Sequence, residues 1–530
     1  MEIKILIKEE LEKLSQKPFE ENTAVISISR TGGEQVRLIN QPRFLLHTSF
    51  NDADYDIFYD EVTEMPTDKE RLAIEKKYGM ITDMQAAEIA LFYRENAKRI
   101  DRLICQDESG ESRSSAVAAA ITEFENKDGI NIFSADDYYP NKIIFRKVFK
   151  ALGSLCFNKD EERFMKLRFG VDNGTCLSLE QISEEMNLDC DQVKLLEKNT
   201  VSKAKRIEKV QEKLFRANKF ISTAKAVVVG HAVGDALGVP VEFEARAVLD
   251  ENPVTDMRGY GTYDMPKGAW SDDTSMSLCA LEIVGGGKIN FDLVMENFVK
   301  WYHKDEYTPT GKTFDVGNTC SIAIENYFVG KKSWSECGMT NEGSNGNGSL
   351  MRIHPFVLHT YRLDTNVKTK IRIVEMASAL THAHERSRVG CGIYAFVLWE
   401  LIEKPCKESV VAGLKKADEY YKSNAEFDRY KRVFSFSDVE VVNCVQRNTI
   451  KSSGYIVDSL EAAIWSVMTT SSYKECVLKA VNLGDDTDTV AAIAGGLAGA
   501  LYGYDAIPEE WKDALLRRGY IEYLCYKAFS

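Results

Sequence analysis

The sequence predicts a multidomain chain: an α/β segment over residues 1–150, a small all-α segment over 155–216, and a large all-α segment over 220–530. Three observations predict it. At 530 residues the chain is too long for one hydrophobic core. The first 150 residues alternate short β-type runs with helical patterns, the mark of an α/β layer. Beyond residue 220 the rhythm changes to long helical patterns joined by Gly-rich and polar loops, with few strand-like runs and no internal repeat.

Composition narrows the class. A hydrophobic fraction of 44% with 28% charged residues excludes disorder and low complexity. A net charge of −14 argues against non-specific attraction to nucleic acid or an anionic membrane surface. The opening stretch MEIKILIKEELEKL lacks the uninterrupted apolar core of an export signal, and the apolar run Val490 to Gly503 is too short to span a bilayer. No membrane partner is expected. Twelve cysteines without CxxC pairs read as reduced thiols of a cytoplasmic protein and give a zinc site no support.

In the first segment, AVISISR and RFLLHTSF read as strands and DMQAAEIALFYRENAKRI as a helix. RLICQDESGESRSSAVAAAITEF reads as strand, polar loop and Ala-rich helix, and amides at such a helix N-terminus form an anion cradle. The loop resembles the phosphate loop of the tyrosine and dual-specificity phosphatase superfamily, with Gly110, Ser112, Arg113 and Ser114 in matching positions. The nucleophile position holds Asp107 instead of Cys, the preceding His position holds Gln106, and Cys105 lies two residues too early. Thiolate chemistry needs a sulfur in the cradle, and Asp107 would repel a phosphate dianion. The resemblance therefore implies a pseudophosphatase.

In the second segment, KDEERFMKLRFGVDNG, SLEQISEEMN and DCDQVKLLEKNTVSKAKRIEKVQEKL read as successive helices, with Ser178 and Gln181 forming a capping box. This run is similar to the promoter-reading helix-turn-helix of bacterial sigma factors, KLRFGVDNG being the best match. The resemblance implies DNA contact through residues 178–206, with Lys194, Lys198, Lys203, Lys205 and Arg206 on phosphates. The base-reading positions, however, are Cys190, Asp191 and Gln192, where the sigma pattern has arginines. A helical spacer or protein-docking module is the competing reading.

The third segment carries the chemistry. In NLGDDTDTVAAIAGGLAGALYGY, from Asn482 to Tyr504, Asp485, Asp486 and Asp488 stand directly against sixteen uncharged residues. Like charges that close repel, and burying any of them unpaired is costly. A second such cluster, Ser271, Asp272, Asp273 and Thr274, opens another apolar helical run in GAWSDDTSMSLCALEIV. A single cluster reads equally well as a helix cap whose acids suit the dipole. Two in one domain point to a cation site built from hard oxygens, which favours Mg2+ or Mn2+ over zinc and takes about two divalent ions.

The order of motifs then resembles one family. It runs GDALGVPVEF, WSDDT, DVGNT (Asp315 to Thr319), GNGSLMR (Gly346 to Arg352), LTHAH, GYIVDSLEAAIW and GDDTDT. This is similar to the ADP-ribosylglycohydrolase family over nearly all of residues 222–530. The resemblance implies a compact all-α fold with a binuclear Mg2+ or Mn2+ centre, and cleavage of the glycosidic bond between ADP-ribose and a modified group. It implies metal ligation by Ser271, Asp272 and Asp273 together with Asp486, Asp488 and Thr489, with Asp485 further out. Glu242 and Asp315 are the implied catalytic carboxylates. Asp235, Asn347, Gly348, Ser349, His382 and Tyr455 are expected on the substrate. Carboxylates can stabilise an oxocarbenium-like transition state and activate water, with Glu242 preferred as base and Asp315 second.

The expected function is a metal-dependent hydrolase acting on an ADP-ribosylated acceptor, with an arginine-type protein side chain as first choice. Two alternatives stay open. One is a non-enzymatic ADP-ribose or nucleotide sensor coupled to a DNA- or RNA-polymerase-binding helix-turn-helix. The other is a hydrolase acting on free ADP-ribosyl compounds or ADP-ribosylated nucleic acid.

Overall fold

The computed structural model describes residues 1–33, 35–53, 74–135, 137–169, 176–285 and 288–529. The chain divides into two compact units, Met1–Ala217 and Asn218–Ser530.

The first unit is built on a four-stranded parallel sheet of order β1-β4-β2-β3, comprising β1 (Glu2–Ile7), β2 (Thr23–Ser29), β3 (Phe44–Ser49) and β4 (Arg102–Asp107). Strand β2 is buried along its whole length, as the near-continuous apolar run AVISI requires of an interior parallel strand. Helix α1 (Asp83–Asn96) opens with a capping box between Thr82 and Gln85. Helix α2 (Arg113–Asn126) follows β4, and its Ala116–Ala120 stretch is fully buried, small side chains letting it lie close to the sheet. Helix α3 (Lys142–Leu155) starts at Asn141, whose side chain accepts from the amides of Ile143 and Ile144.

Helix α4 (Lys159–Phe169), helix α5 (Leu179–Met186) and the start of helix α6 (Cys190–Gly238) form a small cluster around Phe164, Ile182 and Val193. The expected capping box at Ser178 and Gln181 is present. Residues 155–216 belong to the same compact unit as the sheet, and Ile207 packs into the sheet's core. Helix α6 contains no Pro, and its composition changes from charged to apolar near residue 216, where the first compact unit ends. The apolar end of α6 is long enough to cross a membrane by composition alone, but 94% of that window is buried in the protein, so core packing accounts for it.

The second unit is helical. Among its described residues the only β-type pairings are three isolated bridges, Tyr260–Met265, Met339–His382 and Gly346–Tyr455. Four elements position the site: the end of α6, α7 (Asp272–Val284), α8 (Ile456–Met468) and α9 (Thr487–Tyr502). The seam between α6 and α9 is made by glycine. A Cβ on Gly234 would lie 2.1 Å from the Ala491 carbonyl oxygen, and one on Gly238 would lie 2.2 Å from Asp488 Cα. The backbones therefore touch, which explains why α9 is so rich in Gly and Ala. Around them sits a single large core in which Phe298, Phe356 and Trp270 are fully buried. Burying each phenylalanine contributes about 1.5–3 kcal/mol relative to exposure.

Candidate functional site

Helix α6 ends at Gly238 and gives way to a 3-10 turn, Val239–Val241, as Pro240 demands. Asp235 and Glu242 consequently do not share a helical face. Asp235 is fully buried and accepts from Ser271 N (2.9 Å), Thr274 N (3.1 Å) and Thr274 Oγ1 (2.6 Å). Expected on the substrate, it instead caps the N-terminus of α7 from behind, since both its oxygens are taken up by that helix. The consequence is local: Ser271, Asp272 and Asp273 are held in a fixed first turn. Ser271 Oγ and Thr489 Oγ1 each donate to Asp273 Oδ2 at 3.2 Å, which brings the two predicted clusters together.

The second cluster heads α9. Gly484 and Asp485 both adopt left-handed conformations, with φ of 81° and 59°. The Phe243 amide donates to the Asp485 carbonyl at 2.7 Å, and the Asp485 amide to that of Glu244 at 2.9 Å. Asp485 is thus exposed and works through its backbone, tying the Glu242 strap to the head of α9. Asp486 Oδ2 accepts from Asn347 Nδ2 at 2.8 Å, and Asp488 Oδ1 accepts from the Thr489 amide at 2.8 Å.

The remaining oxygens have no partner. Glu242 Oε2, Asp273 Oδ1, Asp486 Oδ1 and Asp488 Oδ2 are all buried without a hydrogen bond. Ligand oxygens of Glu242, Asp486 and Asp488 lie within 4.8 Å of one another, a group that could hold a metal ion. Burial drives Asp272, Asp273 and Asp488 well above the usual carboxylate range, with neighbouring carboxylates adding to the shift. Glu242 is pushed up to about 9 by burial and then by Asp315. Bare, the cluster is electrostatically frustrated, and its all-oxygen donor set fits a hard divalent cation. Glu242, read from sequence as catalytic, thus points an oxygen into the cation group.

On the substrate side, Asn347 lies at the cluster through Asp486 and also donates to Ser459 Oγ at 2.9 Å. Gly346 bridges to Tyr455, and Tyr455 is half-buried with the Arg386 guanidinium 5.8 Å from its ring centroid. Ser349 departs from expectation. It is fully buried, its hydroxyl accepting from Ser378 Oγ at 3.0 Å, so its side chain faces the core rather than a ligand. His382 lies beneath Gly348, where a Cβ would meet its Cε1 at 2.9 Å. It pairs with Thr381 Oγ1 at 2.9 Å, and burial beside Arg352 lowers its pKa to about 3, keeping it neutral. Asp315 has φ 56° and accepts from the Tyr263 hydroxyl at 2.6 Å. Sequence reasoning missed Tyr263; its setting in the Gly-rich stretch GYGTYDMP, just ahead of the first aspartate cluster, was the available signal.

The loop of the first unit is not an open cradle. The amides of Ser109, Arg113 and Ser114 donate to the Asp107 carboxylate at 3.0, 3.0 and 2.9 Å, joined by the Gly110 amide. Arg113 is bonded to Glu108 and to the Phe50 carbonyl, and Ser112 Oγ donates to Asp52 at 2.7 Å. Cys105 is buried within β4, and burial pushes its thiol up to about 12, far from a reactive thiolate. In the stretch expected to be a helix-turn-helix, Gln192 is occupied in a capping exchange with Asp189. Lys203 is bound to Glu161 at 2.6 Å and to the Cys156 carbonyl, and is not free for a phosphate. The stretch KLRFGVDNG runs to Gly174, and its residues 170–174 lie outside the described residues.

The second unit is thus a helical scaffold with a buried, oxygen-only carboxylate cluster at the heads of α7 and α9. The chain belongs to the ADP-ribosylglycohydrolase family, whose model matches residues 216–529. It is 33% identical over 317 residues to the ADP-ribosylarginine hydrolase Tri1 of Serratia proteamaculans (strain 568), covering 60% of this chain and 81% of that protein. It is 32% identical over 312 residues to the ADP-ribosylarginine hydrolase Tri1 of Pseudomonas putida (strain GB-1), covering 58% and 78%. It is 29% identical over 300 residues to the ADP-ribosyl-[dinitrogen reductase] glycohydrolase of Rhodospirillum rubrum, covering 55% and 90%.

Proposed function

We propose that residues 218–530 hydrolyse the glycosidic bond between ADP-ribose and an arginine-type protein side chain, using a pair of Mg2+ or Mn2+ ions. The observation that carries the metal dependence is the convergence of Glu242, Asp486 and Asp488, each with a partnerless buried oxygen, with Asp273, which has another, joined to them through Thr489. The arginine acceptor is supported by the two Tri1 relatives, both named ADP-ribosylarginine hydrolases. Asp272, Ser271 and Thr489 complete the set that would hold the cations. When bound, these supply Lewis acidity at the ribose and neutralise the buried charge.

The residues around that set divide the remaining work. Glu242 shares its oxygen group with Asp486 and Asp488, which leaves Asp315, beside it but outside the group, as the better proton acceptor for water. Water's hydroxyl goes to the anomeric carbon and a proton to the departing guanidine nitrogen, so the products are ADP-ribose and free arginine. Flanking carboxylates stabilise the oxocarbenium-like charge that develops. Asn347 and the Gly348 backbone hold the diphosphate side, and Tyr455 lines the cleft. For the first unit we propose a phosphatase-like module without a nucleophile and a helix-turn-helix that docks protein rather than reading bases.

The test is release of ADP-ribose from ADP-ribosyl-arginine protein with Mg2+, with Mn2+ and with EDTA, beside Asp272→Ala and Asp486→Ala. Metal-dependent release lost in both variants is expected. Release that survives EDTA would sink the metal reading. Preference for ADP-ribosylated serine or DNA in a parallel panel would overturn the arginine assignment.

A further inference from the structure

Outside the two aspartate clusters, Tyr263 holds a position that none of the sequence motifs accounts for. It ends a one-turn 3-10 segment, Gly261–Tyr263. That turn is fixed from several sides. The Tyr260 amide donates to the Met265 carbonyl at 2.5 Å, and Thr262 Oγ1 donates to the Glu242 carbonyl at 2.8 Å. Tyr260 and Asp264, on either side, both take left-handed conformations, with φ of 65° and 53°. Non-glycine residues stay in that region only where their surroundings hold them. The Tyr263 ring then rests against Phe314 with centroids 5.1 Å apart. Its hydroxyl donates to Asp315 Oδ1 at 2.6 Å, 52 residues along the chain.

We infer that Tyr263 is the positioning residue that aims the Asp315 carboxylate at the attacking water, an inference that rests on the hydrolase reading above. Asp315 sits in a strained conformation at the edge of a crowded group of carboxylates. Free to turn, its side chain would be drawn towards any cation held by that group and would cease to be available as a base. One oxygen tied to the phenol fixes the carboxylate plane and leaves the second oxygen to accept a proton. A phenol suits the task because it donates without charge. A Lys or Arg here would compete with a divalent cation for the same oxygens.

The test is Tyr263→Phe, which keeps the ring and removes only the donor. With ADP-ribosyl-arginine protein as substrate, kcat falls about tenfold or more while KM stays within about twofold. Calorimetric Mn2+ affinity is unchanged. In the Asp315→Asn background the same substitution has no further effect on the residual rate, because the contact it breaks no longer positions a base. An unchanged kcat, a full additional loss in the Asp315→Asn background, or a lowered Mn2+ affinity would each overturn the proposal. Should the wild type release no ADP-ribose, the hydrolase reading fails by itself, and thermal unfolding decides this one. Tyr263→Phe must then lower the unfolding midpoint in protein carrying Asp315 and leave it unmoved in Asp315→Ala, where no acceptor remains; equal shifts in both would reject the contact.

Discussion

Thr489 Oγ1 donates to Asp273 Oδ2 at 3.2 Å across 216 residues of chain, and this bond joins the two aspartate clusters into one centre. Neither cluster alone distinguishes a cation site from a helix cap. Joined, they place carboxylates from two helix heads around one space. Thr489→Val keeps the volume and removes the hydroxyl. We expect Mn2+ affinity to fall roughly 10–100-fold by calorimetric titration, the usual cost of losing a supporting or ligating group. The metal-free unfolding midpoint should change little, since Asp273 retains Ser271. An unchanged affinity removes Thr489 from the centre.

Charge and pH act together at Glu242. Its pKa is raised from 4.5 to about 9 in the fold, by burial and then by Asp315. In metal-free protein the stability this gives is fully present below about 4.5 and lost as pH rises through about 9. Asp235, raised to about 7 by burial, acts in the same direction. A bound cation favours the ionised carboxylates and reverses the trend, and its binding releases protons. The gain in unfolding midpoint on adding Mn2+ should therefore be larger at pH 8 than at pH 6. A gain independent of pH would show that the carboxylates are already ionised without metal.

The glycine seam makes a steric prediction. Gly238→Ala drives a Cβ to 2.2 Å from Asp488 Cα. Overpacking of this kind costs about 1–3 kcal/mol or more, and here the displaced atom belongs to a proposed ligand residue. Loss of both stability and Mn2+ affinity is expected in denaturant melts and titration. Gly153→Ala is the control: nothing lies within 4 Å of its Cβ, and its place in helix α3 predicts a gain of about 0.4–1 kcal/mol.

In the first unit, Asp107→Ala removes the acceptor of four amides. Each buried donor left unsatisfied costs about 1–3 kcal/mol, so the unfolding midpoint should drop clearly. Millimolar sulfate or phosphate should restore part of the loss in the variant while leaving the wild type unmoved. A wild type equally stabilised by sulfate would mean that the cradle accepts external anions despite Asp107.

Much of the centre was legible because carboxylates packed against an apolar helix are an electrostatic anomaly that sequence displays directly. The repetition of that anomaly marked the stretches around Asp272, Asp273, Asp486 and Asp488, while the choice of Ser271 and Thr489 beside them as ligands came from the family resemblance. Asp235 was misplaced because its partners, Ser271 and Thr274, stand 36 and 39 residues away and only packing brings them to its oxygens. Ser349 failed for a related reason: a Gly-Asn-Gly-Ser string announces a loop but not which way each side chain faces. Tyr263 left no periodicity or spacing to find, since its role exists only where two loops cross. The length of α6 escaped because helix propensity is indifferent to a switch from charged to apolar residues, while the change of composition near residue 216 does coincide with the division into compact units after Ala217.

The touching backbones of α6 and α9 have a further consequence. One half of the oxygen cluster is held by the Asp235 side chain on α6 and the other grows from the head of α9, so the gap between the halves follows the close spacing of those two helices. Side chains can change rotamer to widen a cavity, but two helices in van der Waals contact cannot slide apart without opening the core behind them. A cation held in a centre mounted this way is expected to be selected by ionic radius. Mg2+ takes oxygen at about 2.0–2.1 Å and Ca2+ at about 2.3–2.6 Å, and a frame without slack holds the smaller ion at full coordination while the larger one strains it.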